Sequence, residues 1–136
     1  MSNPYQKYKT NAILSASREQ ILLMLYEGAI RFTKQALEAA ESNRIADRGR
    51  LILRAYDIVL ELQVSLDHKI GGDLSRQLDQ LYTYTLDQFT KANMTGDTAA
   101  LKSAIKVLEN LYDGWQLAVN KIIKDNEAKG PNEGGT

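Results

Sequence analysis

The chain has 136 residues, and its 17 lysine and arginine residues are balanced by 17 aspartate and glutamate residues, with one histidine and no cysteine. This length suits one domain with a hydrophobic core, and zero net charge argues against nucleic acid as a partner, because phosphate backbones are bound by surplus positive charge. The lack of cysteine excludes disulfides, thiolate nucleophiles and cysteine-ligated metals, and is compatible with a reducing compartment.

Residues 1–16 are interpreted as an amino-terminal cap or lid segment. They hold too few apolar side chains to form a core of their own, yet enough to pack on a neighbouring domain. These side chains are Tyr5, Tyr8, Ile13 and Leu14. We expect the segment to act as a removable lid. It contains no apolar stretch of signal-peptide length.

Four helices are predicted between the two prolines, Pro4 and Pro131, because apolar residues recur there at helical spacing. Polar or glycine-rich breaks divide this stretch at Ser42 to Asp47, at the pair Gly71 and Gly72, and at Asn93 to Asp97. The predicted helices span residues 17–42, 45–69, 73–94 and 97–124. Connections this short make neighbouring helices antiparallel. The predicted fold class is therefore all-α, an antiparallel four-helix bundle over residues 17–124.

Polar residues at the predicted helix ends support these boundaries. Ser17 and Gln20 form the Ser-x-x-Gln capping box of the first helix, and Asp73 and Asp97 are placed to cap the third and fourth. His68 falls in the last turn of the predicted second helix, where partial positive charge suits the helix dipole. The glycine pair that follows it is interpreted as a turn.

Each predicted helix has one apolar stripe that can face a common core. The stripes contain Ile21, Leu22, Leu25, Ala29, Phe32, Ala36 and Ala39; Leu51, Ala55, Ile58, Val59, Leu62 and Leu66; Leu74, Leu78, Leu81, Tyr82, Phe89 and Ala92; and Leu101, Ala104, Leu108, Leu111, Trp115, Ala118 and Ile122. Residues 125–136 are rich in glycine, asparagine and charge without an apolar period, so we predict a disordered tail. The longest apolar run, Ile21 to Tyr26, is far shorter than the ~20 residues of a membrane-spanning helix.

Apolar residues remain after this core is built. They lie on the same rotational side of the core stripe in the first, second and fourth helices. They are Leu23, Tyr26, Ile30 and Leu37; Leu53, Tyr56, Leu60 and Val64; and Ile105, Tyr112, Val119 and Ile123. Antiparallel neighbours meet like flank to like flank, so two such stripes line one groove, and the hand of the bundle decides which helices share it. A monomer rarely leaves an apolar patch above ~300–600 Å² uncovered, which favours a docked amphipathic partner segment.

Catalysis and metal binding are disfavoured by the residues available. His68 is the only imidazole, whereas a helical di-metal carboxylate site needs two Glu-x-x-His pairs. None of the carboxylates lies in an apolar run that would raise its pKa usefully. We therefore predict no enzymatic activity, no metal and no cofactor. A carboxylate-dependent hydrolase would need a concave site with a strongly shifted acid.

Several segments resemble the flagellar secretion chaperone family FliS. The most characteristic is Met24 to Phe32, which reads Met-Leu-Tyr-Glu-Gly-Ala-Ile-Arg-Phe, and the start Asn3 to Gln6 is also similar to that of the family. Further similar positions keep the same order and spacing: Tyr8, Asn11, Ala55, Asp57, Ile58, Leu66, Asp67, Gly71, Gly72, Leu81, Tyr82, Tyr84, Ala92, Asn93 and Leu111. The resemblance ends near Trp115. Arg18 stands where the family usually has proline, and Ser15 replaces a threonine.

The resemblance implies a cytoplasmic export chaperone whose client is the carboxy-terminal segment of flagellin. Binding would prevent premature polymerisation and present the client to a gate component of the flagellar type III export apparatus. Helical-wheel geometry, rather than the family, selects the expected client contacts. They are Leu23, Tyr26, Ile30, Leu37, Leu53, Tyr56, Leu60, Tyr112 and Val119. The alternative hypothesis is a structural or adaptor protein that forms a homodimer through the same stripes.

Overall fold

Four helices make up the part of the chain that the structure, a computed structural model, describes, residues 17–129. They are α1 (Arg18–Glu41), α2 (Ile45–Val64), α3 (His68–Thr95) and α4 (Thr98–Lys129). Helix α1 packs against α2 and α4, and α3 packs against the same two neighbours, which gives a closed antiparallel bundle. The predicted fold class is confirmed. Helix α4 runs to Lys129, so the predicted disordered tail is wrong for residues 125–129, where Glu127, Ala128 and Lys129 favour helix. Residues 1–16 and 130–136 lie outside the described range.

Two of the predicted helix caps are confirmed. The Ser17 hydroxyl accepts from the Gln20 amide at 3.2 Å, and the Gln20 side chain accepts from the Ser17 amide at 3.1 Å, which completes the capping box. The Asp97 carboxylate accepts from the amides of Ala99 and Ala100 at 2.9 Å and 3.4 Å. These amide hydrogen bonds lower the pKa of Asp97.

The start of α3 differs from the prediction. Asp67, rather than Asp73, is its N-cap, and the Asp67 carboxylate accepts from the amides of Lys69 and Ile70. His68 is therefore the first residue of α3 instead of part of the last turn of α2, and its Nδ1 lies 2.8 Å from the Ser75 hydroxyl. The dipole argument for His68 was wrong, because a helix presents its positive end here.

The predicted glycine turn is a kink inside α3. Gly72 has φ 54° and ψ −127°. Residues with a Cβ atom rarely adopt this backbone conformation, whereas glycine does so at little cost. At Gly71 an added Cβ would lie 2.6 Å from the Ser75 Cβ, so both glycines are required, one for its backbone angles and one for space. The chain therefore leaves the helical conformation at Gly72, as the predicted turn requires, and α3 consists of a short helical piece before Gly72 and a long one after it.

We expect Gly72→Ala to lower the free energy of unfolding by about 1–2 kcal/mol, because alanine strains this φ. Gly114→Ala is the matched control. An added Cβ at Gly114, which is exposed inside α4, meets nothing within 4 Å, so alanine should stabilise by about 0.5–1 kcal/mol through its helix propensity. Urea unfolding followed by circular dichroism measures both. Equal effects of the two substitutions would contradict the assigned strain.

Most of the residues that α1 buries have small side chains. Three alanines of α1, Ala29, Ala36 and Ala39, are fully buried, and an added Cβ at Gly28 would lie 3.3 Å from the Ile58 Cδ1. Small side chains let α1 approach its neighbours closely. The large side chains at the centre come from α1, α2, α3 and α4 and are Tyr26, Ile52, Leu62, Tyr82, Phe89, Leu101 and Leu108.

Five residues predicted in the core are exposed, namely Ile21, Leu74, Leu81, Ala118 and Ile122. Ile21, Leu74 and Ile122 lie at the beginning of α1, near the beginning of α3 and near the end of α4, with 39%, 55% and 44% of their surface accessible. In an antiparallel bundle these positions all belong to the same end. The apolar pattern of the sequence therefore extends further toward this end of the bundle than the packing between the described helices does.

Candidate partner-binding surface

The first candidate groove lies between α1 and α4. Ile30 lines a depression together with Tyr112, and Leu37 lines the next one together with Ile105. Leu23 of α1 is half-buried like Ile30 and Leu37. The hand of the bundle thus brings the extra stripes of the first and fourth helices together, which the sequence left undetermined.

Two polar contacts cross this groove. The Tyr112 hydroxyl donates to Glu27 at 2.6 Å, and Lys34 forms an ion pair with Glu109 at 3.1 Å. Hydrogen bonding to the Glu27 carboxylate raises the pKa of Tyr112, so its hydroxyl stays protonated at neutral pH. The Lys34–Glu109 pair is about half exposed, and such pairs contribute little stability. Both contacts connect α1 with α4 at the edges of the groove and leave its interior open.

The second candidate surface is the outward side of α2, and its apolar side chains are the more exposed. Leu53, Leu60 and Val64 of α2 have 56%, 40% and 72% of their surface accessible. The Gln63 amide donates to Asp79 Oδ1 at 3.0 Å and so marks the side of α2 that faces α3, roughly 100° of helical rotation from Val64. Tyr56, one turn from Leu60 and Leu53, is half-buried. We name Leu53, Leu60 and Val64 the α2 row.

Two predicted contact residues are buried instead, so their assignment to the surface was wrong. Val119 is 2% exposed, because it lies 18 residues after Leu101, which equals five helical turns and places it on the core side of α4. Tyr26 is 0% exposed and inserts between the helices. Its hydroxyl lies 2.5 Å from that of Tyr82 and accepts a hydrogen bond from Trp115 Nε1 at 3.2 Å.

Burial raises the pKa of both Tyr26 and Tyr82, so both phenols remain protonated and neutral. Their hydroxyls satisfy each other inside an apolar core, where an unpaired polar group is costly. Sequence reasoning placed Tyr82 and Trp115 in the core but missed this hydrogen-bonded triad, because its members are 56 and 89 residues apart and no local pattern pairs them.

An apolar cavity opens at the end of the bundle where α1 and α3 begin. It is lined by Leu22, Leu62, Leu66, Ile70, Leu74, Leu78 and Trp115, among others. Ile70, just before the kink at Gly72, has 86% of its surface accessible. We call this depression the end cavity. The end cavity was not predicted from the sequence, because Leu74 was assigned to the core and Ile70 to no surface.

Residues 17–129 show neither a metal site nor a membrane-spanning helix. No group of three or more histidine, cysteine, aspartate or glutamate side chains in this range is placed to hold a metal ion. None of the four described helices is long and apolar enough to span a membrane.

Comparison with known proteins decides the family. The model of the family described as flagellar protein FliS matches residues 1–122. The chain belongs to the FliS family. It is 33% identical to the flagellar secretion chaperone FliS of Vibrio cholerae over 112 residues, which are 82% of each chain. The FliS chaperone of Bacillus subtilis is 28% identical over 130 residues, 96% of each chain.

A solved structure supports the fold of this FliS family member. A crystal structure of a flagellar chaperone from bacteria superposes with a TM-score of 0.72 over 86% of this chain and 95% of the other, at 24% identity. FliS relatives are named secretion chaperones, so the family is one of chaperones and not of enzymes. Membership of the FliS family supports a role in flagellar export.

Proposed function

We propose that the protein is a cytoplasmic export chaperone that binds the carboxy-terminal segment of flagellin along the α1–α4 groove and the α2 row. The observation that carries this proposal is the α2 row. Three large aliphatic side chains on one side of one helix remain 40–72% exposed although the bundle core is complete without them. Contiguous apolar surface of this kind is typical of a protein-binding site, and relatives bear the name of flagellar secretion chaperone.

The proposed mechanism is competition for apolar surface. A client segment that covers the α2 row, Ile30 and Leu37 removes apolar area from water at ~25 cal/mol per Å². This gain has to offset the ~2–5 kcal/mol that ordering a disordered segment costs. While the segment is bound, it is unavailable to other flagellin subunits, which prevents early polymerisation. No bond is made or broken in this process.

The proposed contact set follows from where the structure places each candidate. Tyr26 and Val119 are omitted, because a buried side chain offers no surface to a client. The remaining contacts are Leu23, Ile30, Leu37, Leu53, Tyr56, Leu60 and Tyr112.

Residues 1–16 are proposed as a lid that shares apolar surface with the client, through Tyr5, Tyr8, Ile13 and Leu14. They lie outside the described range, and the support for the proposal is the apolar end cavity next to Arg18, where the described chain starts. Removal of residues 1–16 should leave the client affinity unchanged or raise it by up to about tenfold, since a competing segment is lost. Isothermal titration of both forms measures this. A large loss of affinity would instead make the segment part of the binding surface.

The direct test is titration of the full chain with a synthetic peptide of the flagellin carboxy-terminal segment. We expect one saturable site with a dissociation constant in the micromolar range or tighter, about −8 kcal/mol. A scrambled peptide of the same composition is the control. Sedimentation over a range of concentrations tests the alternative, because a stable homodimer that fails to bind the peptide would overturn the proposal. Delivery to an export-gate component is a further part of the proposed role, tested by adding that component to the complex.

A further inference from the structure

A second surface lies on the outer face between α1 and α2, away from the α2 row. The guanidinium carbons of Arg31 and Arg54 lie 5.3 Å and 5.6 Å from the ring centroid of Phe32. Arg31 and Phe32 belong to α1 and Arg54 to α2; both arginines are exposed and the ring is half-buried. One aromatic ring thus holds two cations from different helices, an arrangement stabilised by cation–π attraction. We name these two residues the arginine pair.

The arginine pair has no carboxylate partner among residues 17–129. The ion pairs in this range join other residues, and the nearby Asp47 is engaged by Arg44 and Arg50 at 3.3 Å and 3.4 Å. Glu27, one turn before Arg31, accepts from Tyr112 instead. Residues 1–16 contain neither aspartate nor glutamate. Two guanidinium groups are therefore held at the surface with their N–H donors available.

A cavity of about 260 Å³ adjoins the pair between the same two helices. Arg44, Arg50 and Arg54 line it, together with Gln35, Glu38, Asp47 and Leu51. A depression of this size accommodates a side chain rather than a folded element. Arg44 and Arg50 are paired with Asp47, so Arg54 is the lining arginine that favours an anion, and Glu38 on the same face limits how much negative charge the cavity accepts.

We propose that the arginine pair and this cavity bind carboxylate side chains of an acidic segment in a protein partner distinct from the client. A guanidinium stacked on a ring keeps its edge free for two parallel hydrogen bonds to a carboxylate. Arginine and aromatic residues are enriched at the centres of protein interfaces. A nucleic acid is disfavoured, because the net charge is zero and Glu38 and Asp47 repel a continuous phosphate backbone.

The test uses a fluorescently labelled peptide of alternating glutamate and glycine as the probe, with binding followed by anisotropy at low salt. The double substitution Arg31→Gln with Arg54→Gln is expected to weaken binding about tenfold or more. The matched control, Lys121→Gln with Lys124→Gln, removes the same charge from two exposed residues near the end of α4 and should change binding less than about twofold. Arg31 also lines the depression of Ile30 and Tyr112, so the comparison with the flagellin peptide uses Arg54→Gln alone. Arg54→Gln and the lysine control should each leave the affinity for the flagellin peptide within about twofold.

Further variants separate a defined site from general attraction. Arg31→Lys with Arg54→Lys keeps both charges but loses the planar donor fork, so it should also weaken binding of the acidic peptide. Phe32→Leu keeps both arginines and removes the ring, with the same expected direction. Three results would overturn the proposal. The first is an equal loss of affinity for the acidic peptide in the Arg-to-Gln variant and in the Lys121→Gln, Lys124→Gln control. The others are full binding by the Arg-to-Lys variant and no binding by the unaltered chain. Tighter binding of a single-stranded oligothymidine through the same arginines would overturn it in favour of nucleic acid.

Discussion

Replacement of Leu53 and Leu60 by aspartate should weaken binding of the flagellin peptide by about a hundredfold and leave the fold intact. Both side chains are already 40–56% exposed, so the substitutions remove little core packing. In the complex each carboxylate would be buried against apolar client groups, and a loss of about 3 kcal/mol for two sites corresponds to that change in affinity. Isothermal titration measures the affinity, and urea unfolding measures the stability.

The control for this variant is Gln77→Asp with Gln80→Asp, which adds the same charge at two exposed positions of α3. We expect it to change client affinity by less than about twofold. If both double variants bind equally well, the α2 row is not the client surface. If both weaken binding equally, the effect is one of charge alone. Either result would contradict the proposed function, whereas the arginine pair would remain to be judged by its own variants.

Replacement of Tyr26 by alanine is expected to cost about 3–5 kcal/mol of unfolding free energy, the largest single effect on stability that we predict. The ring is fully buried, so its loss leaves a cavity. It also leaves the hydroxyl of Tyr82 and the indole N–H of Trp115 without the partner they now share. Thermal and urea unfolding, followed by circular dichroism, measure the loss.

Tyr26→Phe separates the cavity from the hydrogen bonds. It keeps the ring and removes only the hydroxyl, and the expected loss is about 1–3 kcal/mol from two buried polar groups left unpaired. Tyr56→Phe, at a half-buried residue, is the control and should cost less than about 0.5 kcal/mol. A Tyr26→Phe variant as stable as the original chain would show that the triad contributes nothing beyond packing.

Local patterns were sufficient to predict the helices and most of their caps. Ser17 and Gln20 act within one turn, and Asp97 acts on the two amides that follow it closely, so neighbouring residues contain the whole signal. The start of α3 was missed for the opposite reason. The glycine pair predicts a break, and Gly72 is non-helical, but a short helical piece capped by Asp67 precedes that break and was not predicted.

The surfaces were predictable only in part. The α2 row follows from spacing along one helix, so it was found, and Leu53 and Leu60 are exposed as expected. Tyr26 was assigned to the surface because its wheel angle lies at the core edge, yet a long ring at that angle reaches inward. The arginine pair joins two helices across a tertiary contact, so its existence depends on packing that no single segment encodes.

The position of Trp115 has a practical consequence for experiments on the unmodified protein. It is the sole tryptophan of the chain, it lines the end cavity, and its indole N–H contacts Tyr26. Indole emission depends on local polarity, so the tryptophan emission of an unlabelled sample reports on this end of the bundle. A ligand that enters the end cavity is therefore expected to change the emission of Trp115, which can be followed without a dye or a substitution.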